Sequence, residues 1–134
     1  MEKIYCKKMR LPNVAVDCFG RMKASWLLAC VQEAAGEHSQ LLGASNGEYN
    51  GRQLFWAVSR HRVQIKRLPG AEEVITIKTW PCPTTRVAYP RATAAFDEEG
   101  NELFRCMSLW VLMDVDSRAM ILPGKSGVEV DGIT

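Results

Sequence analysis

The chain has 134 residues, 47% of them hydrophobic, and a formal net charge of +2 at pH 7. This length predicts one domain over residues 1–134, with a single core and no room for a second domain. Its 17 basic residues are interleaved with 15 acidic ones. The sequence therefore lacks the cationic footprint of nucleic-acid-binding proteins, and we expect no nucleic acid partner.

The cysteines and the N-terminus bear on the compartment. The five cysteines form no Cys-x-x-Cys pair, and an odd number would leave one unpaired in a disulfide framework. They are typical of reduced, cytosolic thiols. The first residues lack the apolar run of a signal peptide, and nowhere do 18 apolar residues follow one another. We expect a cytoplasmic protein that does not bind membranes.

A helix of about five turns is predicted over residues 24–42. Apolar residues recur there at helical spacing and cover more than half of the circumference. Gly43 is placed to end the helix in a left-handed cap. Gly36 inside it costs roughly 1 kcal/mol relative to alanine, which indicates a close neighbour or a functional reason. The two apolar rows are Trp26, Cys30, Ala34 and Leu41, then Leu27, Val31, Ala35 and Leu42.

Strands are predicted on both sides of this helix. A short one, about residues 4–10, precedes it, and four segments rich in β-branched and aromatic residues follow. The break at residues 97–100, which ends in glycine, suits a hairpin. In the last strand, the alternate residues from Leu103 to Met113 indicate one half-buried face. The four later segments are Phe55 to Leu68, Val74 to Trp80, Arg86 to Phe96 and Leu103 to Val115.

The order of these elements predicts an α+β hotdog fold. A long helix that is apolar over most of its surface is hidden only if the sheet curls around it. We therefore expect a long central helix wrapped by an antiparallel sheet of five or six strands. The tail, about residues 123–134, has a loose composition, and we expect it to be mobile or to pack on a partner.

Several motifs stand out along the chain: Gln32-Glu33-Ala34-Ala35, Phe55-Trp56-Ala57-Val58-Ser59-Arg60, Thr79-Trp80-Pro81, Arg91, Ser108-Leu109-Trp110-Val111-Leu112-Met113-Asp114, Arg118 and Pro123. Together they resemble the acyl-acyl-carrier-protein (acyl-ACP) thioesterases of fatty acid synthesis, over roughly residues 5 to 123. Members of that family usually carry two hotdog repeats, and this sequence looks like the first. The catalytic residues lie in the second repeat, where an Asp-x-Asn-x-His-Val-Asn-Asn motif precedes the helix. Here the matching stretch, residues 17–24, has neither the asparagine nor the histidine.

The resemblance also implies candidate catalytic residues. Single-domain acyl-CoA thioesterases are similar, pair into dimers and use a carboxylate before or within the helix. Asp17 and Glu33 occupy about these positions, and we expect Glu33 to be the catalytic carboxylate with Asp17 in reserve. Alternatively, Glu33 is a solvated residue or pairs with an arginine, and Asp17 binds turn or capping amides. The amides at the helix start, near Lys23 and Ala24, could stabilise an oxyanion.

Five further residues are candidates for substrate binding. In a hotdog fold, Trp26 and Trp56 could line an acyl tunnel as well as the core. His38, on the apolar face of the helix, is either a base or a core histidine. Arg60 and His61 could bind a phosphate of coenzyme A or phosphopantetheine, or face solvent.

Other site chemistries find little support. Cysteine–histidine catalysis is not expected, because Cys30 and His38 are eight residues apart and nothing in the sequence brings His61 to a thiol. With only two histidines, the chain offers no metal site, and we expect neither metal nor cofactor.

Three functions remain open. The first is a homodimeric or homotetrameric thioesterase that acts on acyl-ACP or acyl-CoA. The second is a non-catalytic acyl-binding or assembly module, which the missing Asn and His favour. A dehydratase of the same fold ranks last, because only His38 or His61 could supply its histidine.

Overall fold

The computed structural model describes residues 3–42, 47–49, 51–130 and 132–133. Within these ranges, no helix is both long and apolar enough to cross a membrane. The chain forms a strand, a long helix, six further strands and a short helix. In chain order they are β1 (Tyr5–Arg10), α1 (Ala24–Leu41), β2 (Gly47–Tyr49), β3 (Arg52–Ile65), β4 (Val74–Pro81), β5 (Tyr89–Phe96), β6 (Glu102–Asp114), β7 (Met120–Ile121) and α2 (Pro123–Ser126).

The strands form one antiparallel sheet in the order β1-β4-β5-β6-β3-β2, and β7 pairs with β6. The helix α1 packs mainly against β4 and β1, and its buried side chains join the core that the sheet encloses. This is the predicted hotdog arrangement. The predicted hairpin at residues 97–100 is also present, with Gly100 at a φ of 86° that suits glycine.

The predicted helix is confirmed, with two differences. Leu41, placed in the apolar row, is 55% exposed because it lies at the last turn, beyond the core. Gly36 has no close neighbour, since an added Cβ would meet nothing within 4 Å. The explanation of Gly36 by tight packing is therefore wrong. Gly43, the predicted cap, lies outside the described residues.

The inner face of β6 is the opposite of the one that the sequence indicates. The even-numbered side chains are the more buried ones, whereas Met107 on the odd-numbered face is 38% exposed. The apolar alternation misleads because the inner row includes a cysteine and a serine. The inner row is Phe104, Cys106, Ser108, Trp110 and Leu112.

The strand β3 changes face partway along. Its register with β6 shifts between Val58 and Arg60, so that Ser59 is an extra residue, a β-bulge. Before the bulge, even-numbered residues such as Trp56 pack inward; after it, His61 and Val63 do. Arg60 is therefore exposed on the outer face.

The C-terminal segment packs on its own sheet. Val128 is 6% exposed and joins a second cluster with Leu54, Tyr89 and Leu112. The Tyr89 hydroxyl donates to the carbonyl oxygen of Val128 at 2.9 Å. The sequence had instead indicated a tail that is mobile or bound to a partner. Its loose composition misses this packing because only a few residues fasten the segment: Val128 and Ser126 are buried, and the Tyr89 hydroxyl hydrogen-bonds to both.

Candidate functional site

A cavity of about 380 Å³ lies between the C-terminal half of α1 and the inner face of β3, β5 and β6. This volume is at the lower end of the range for small-molecule sites, roughly 300 to 1,000 Å³. Polar helix residues form one side, and aromatic side chains with one arginine form the other. Its lining comprises Gln32, Glu33, Ala35, Gly36, Glu37, Ser39, Gln40, Leu42, Trp56, Pro81, Tyr89, Pro90, Arg91, Trp110 and Val130.

Two glutamates one turn apart on α1 line this cavity. Glu37 accepts hydrogen bonds from Lys7 Nζ at 2.8 Å and from the Tyr5 hydroxyl at 3.0 Å. The Lys7 bond is the main reason that the pKa of Glu37 is lowered. Glu33 is exposed and, among the described residues, has neither a salt bridge nor a side-chain hydrogen bond. Of the two, Glu33 is thus the carboxylate that is free to meet a ligand.

The amides at the start of α1 lie too far from Glu33 to act on the same carbonyl group. Lys23 caps the helix without a side-chain hydrogen bond, so amides are available there. Nine residues separate Ala24 from Glu33, which at 1.5 Å per residue places them about 14 Å apart along the axis. Within one chain, the predicted oxyanion amides and Glu33 therefore cannot contact the same carbonyl.

Asp17 lies in a turn before the helix. Its carboxylate accepts hydrogen bonds from the amides of Phe19 at 2.9 Å and Arg21 at 3.1 Å. The amide of Arg21 is the largest cause of the lowered pKa of Asp17. Asp17 is not part of the cavity lining. Its geometry matches the alternative in which it binds turn amides.

His38 is buried in a polar cluster at the cavity wall. It is 1% exposed, stacks on the Tyr5 ring at 5.7 Å between centroids, and lies 2.9 Å through Nδ1 from Arg91 Nη1. Arginine only donates, so Nδ1 must accept, and the neutral ring carries its proton on Nε2. The same Arg91 nitrogen donates to the Thr79 hydroxyl at 3.2 Å. His38 Nδ1 therefore accepts a hydrogen bond from Arg91.

The structure brings His61 to a thiol, contrary to the expectation from sequence. His61 Nδ1 lies 2.8 Å from the Ser108 hydroxyl and 3.5 Å from the sulfur of Cys106, because these residues share the inner face of β3 and β6. Burial lowers the pKa of His61 and raises the pKa of the Cys106 thiol. Both shifts favour neutral groups, whereas catalysis needs a thiolate. The cluster is thus a buried neutral network.

The remaining predicted binding residues are spread over the molecule. Trp56 lines the cavity and packs edge-on against Tyr89, with ring centroids 4.9 Å apart. Trp26 is partly buried against the core beside α1, away from the cavity lining. Arg60 is exposed on the outer face of β3.

Arg91 carries no site prediction from the sequence beyond its place in the resemblance. It is 6% exposed, lines the cavity, and burial lowers its pKa to about 10. A signal was present, because Tyr89, Arg91, Thr93 and Ala95 alternate along one strand whose other face is also small or apolar. An arginine within such a buried strand indicates a special role.

Known proteins support the resemblance. The model of the family described as acyl-ACP thioesterase N-terminal domain matches residues 2–122. The chloroplastic oleoyl-acyl carrier protein thioesterase of Coriandrum sativum is 29% identical over 97 residues, which are 67% of this chain and 26% of that protein. The chain thus spans about a quarter of this relative.

Solved structures share the fold. The acyl-ACP thioesterase from Bacteroides thetaiotaomicron VPI-5482 has a TM-score of 0.86 at 23% identity, over 98% of this chain and 54% of that one. A probable thioesterase from Bartonella henselae has a TM-score of 0.78 at 16% identity, over 89% of this chain and 98% of that one. Since the family model matches residues 2–122, the chain belongs to the acyl-ACP thioesterase N-terminal domain family.

Proposed function

We propose that this chain acts in the hydrolysis of acyl thioesters carried on ACP or coenzyme A. The observation that carries the proposal is the cavity, which has Glu33 on one side and apolar aromatic walls, including Trp56 and Trp110, on the other. Such walls suit an acyl chain, and an unengaged carboxylate suits the thioester end.

In the proposed reaction, Glu33 acts as a general base. It takes a proton from a water molecule, whose oxygen attacks the thioester carbonyl carbon. The tetrahedral oxyanion then collapses, the carbon–sulfur bond breaks, and the leaving thiolate takes the proton from Glu33, which returns to its carboxylate form. The products are a fatty acid and free ACP or coenzyme A.

The reaction needs a second hotdog domain in this proposal. The strand β3 has one edge that is mostly unpaired. On this edge, β2 pairs with three residues of β3, and no described strand pairs with the rest, from Phe55 to Ile65. An exposed strand edge readily pairs with another chain. We propose a homodimer or homotetramer, or pairing with a second repeat. The partner's helix start would then supply the oxyanion amides that lie too far from Glu33 within one chain.

Two further parts of the proposal concern the carrier and the compartment. The exposed Arg60, with Arg62 beside it, supports binding of a phosphate of coenzyme A or phosphopantetheine at the outer rim of β3. A cytoplasmic location is supported by the five cysteines, all of which are free thiols.

The test is hydrolysis of a panel of acyl-CoA and acyl-ACP thioesters, followed through the released thiol. Glu33→Gln should lose activity by at least about 100-fold, the usual contribution of a general base. Glu98→Gln, an exposed glutamate in the 97–100 hairpin, is the matched control and should keep it. Asp17→Asn tests the reserve carboxylate. Full activity in Glu33→Gln would remove that residue from the mechanism.

A non-catalytic acyl-binding module is the second candidate. It is favoured by the engagement of Asp17 with turn amides and by the missing asparagine and histidine. In that case, the folded protein would bind acyl chains without turnover on any substrate. Sedimentation velocity alongside the assay would show whether an inactive sample is paired or monomeric.

A further inference from the structure

The cavity wall contains a buried cation without a counterion. Arg91 is 94% buried, yet no carboxylate among the described residues lies within ion-pair distance of it. Toward the residues that the structure describes, its guanidinium donates only through Nη1, to His38 Nδ1 and the Thr79 hydroxyl, which are both uncharged acceptors. An arginine has five N–H donors, so most of its hydrogen-bonding capacity remains unused.

A second donor of the same cavity is also unused. The indole nitrogen Nε1 of Trp110 is buried and has no acceptor in the part of the chain that the structure describes. Trp110 lines the cavity and is a neighbour of Arg91, because Tyr89 pairs with Trp110 and Arg91 pairs with Ser108, the next inward residue of β6. Both groups only donate, so each needs an acceptor.

Leaving such groups unsatisfied is costly. A buried donor without a partner costs about 1 to 3 kcal/mol, and a buried charge costs more. A hydrocarbon chain would satisfy neither group. A carboxylate suits both kinds of donor, because it has two acceptor oxygens, carries the charge opposite to that of arginine and can accept two parallel bonds from it.

The acids of the cavity do not already fill this role. Glu37 is engaged by Lys7 and Tyr5, and Glu33 is exposed. Both lie on α1, across the cavity from the strand that carries Arg91. They make the helix side of the cavity unfavourable for an anion, whereas the strand side favours one.

We propose that the strand side of this cavity binds the carboxylate of an apolar chain through Arg91 and Trp110. The carboxylate belongs either to a free fatty acid or to the far end of a dicarboxylic acyl chain. The proposal rests on the proposed function for the acyl nature of the ligand. It places the carboxylate of the ligand beside Arg91 and Trp110, where a saturated acyl tail would offer no polar group.

Binding measured by calorimetry tests this independently of turnover. The wild-type protein should bind decanoate at least about tenfold more tightly than decan-1-ol, the effect of one charge-assisted hydrogen bond. This preference should vanish in Arg91→Met and persist in Arg86→Met, an exposed arginine that serves as the control. Trp110→Phe should weaken decanoate binding by roughly fivefold.

Equal binding of acid and alcohol to the wild type would overturn the proposal, as would a preference that survives Arg91→Met. If Arg91→Met does not fold, the wild-type comparison and Trp110→Phe still decide. To identify the source of the carboxylate, calorimetry compares the binding of decanoyl and decanedioyl pantetheine analogues. Both analogues have an amide in place of the thioester. Tighter binding of the decanedioyl analogue supports the far end of a dicarboxylic chain; equal binding, with the decanoate preference intact, supports a free fatty acid. Absence of hydrolysis would overturn only the proposed function.

Discussion

Replacing Thr79 with valine tests the energetic coupling of the buried polar cluster. Thr79 is fully buried, and its hydroxyl donates to the Ala92 carbonyl at 2.9 Å and accepts from Arg91 at 3.2 Å. Valine has nearly the same shape without the hydroxyl. Thr79→Val leaves a buried carbonyl and a buried cation each short of a partner, at an expected cost of about 2 to 3 kcal/mol.

The same change should cost less once the cation is gone. Burial lowers the pKa of Arg91 well below its usual value, to about 10. A depression of this size corresponds to about 3 kcal/mol against burying the charge. This destabilisation is present below pH 10 and is relieved as the pH rises through that value. Arg91→Met should therefore leave stability similar or higher, because the lost hydrogen bonds oppose the gain.

In the Arg91→Met background, Thr79→Val should cost only about 1 kcal/mol, giving a coupling of about 1 to 2 kcal/mol. Urea unfolding at pH 7, followed by tryptophan fluorescence, measures all four proteins. Thr76→Val, on the same strand but not fully buried, is the control and should change stability by less than about 0.5 kcal/mol. An equal cost of Thr79→Val in both backgrounds would refute the coupling.

Three other predictions concern stability and reactivity. Phe104→Ala, at a fully buried site, should cost about 3 to 5 kcal/mol in urea unfolding, and a loss below about 1 kcal/mol would contradict its place in the core. Iodoacetamide should modify the exposed Cys6 much faster than Cys106, whose thiol pKa is raised by burial; equal rates by mass spectrometry would contradict this. The hydrogen bond from Arg67 holds the pKa of Glu73 below its usual value, so its contribution is present at neutral pH and lost as the pH falls through the lowered pKa. Glu73→Gln should cost up to about 1 kcal/mol at pH 7, and the difference should disappear in acid; a difference that persists there would contradict the ion pair.

Local patterns were enough to predict the main elements. The apolar rows of α1 and the β-branched segments identified the helix, five strands and the fold, because both depend on burial of one face. Strand ends were less accurate: β5 begins at Tyr89, since the hydroxyl of Thr85 binds the amide and carbonyl of Ala88 and holds residues 85–88 in a turn.

The candidate site was less accessible from the sequence. Glu33 was identified because it lies on a helix that the spacing of apolar residues predicts, and the structure places it at the cavity. The pairing of three strands brings together Arg91, Thr79 and Trp110. The register of strand pairs is hard to predict from a single sequence. For the same reason, the contact of His61 with Cys106 could not be foreseen.

The bulge at Ser59 has a consequence for how this family can tolerate insertions and deletions. Strand residues alternate between faces, so an even or odd number of residues determines which side chains reach the core. Loss of Ser59 alone would restore regular pairing, with Val58 opposite Trp110 and Arg60 opposite Leu109, so Arg60 would stay outward and His61 inward. Loss of Ser59 together with Arg60 would instead place His61 opposite Leu109 on the outer face and turn Arg62 inward, so a two-codon deletion there should be far more harmful than a single-codon one.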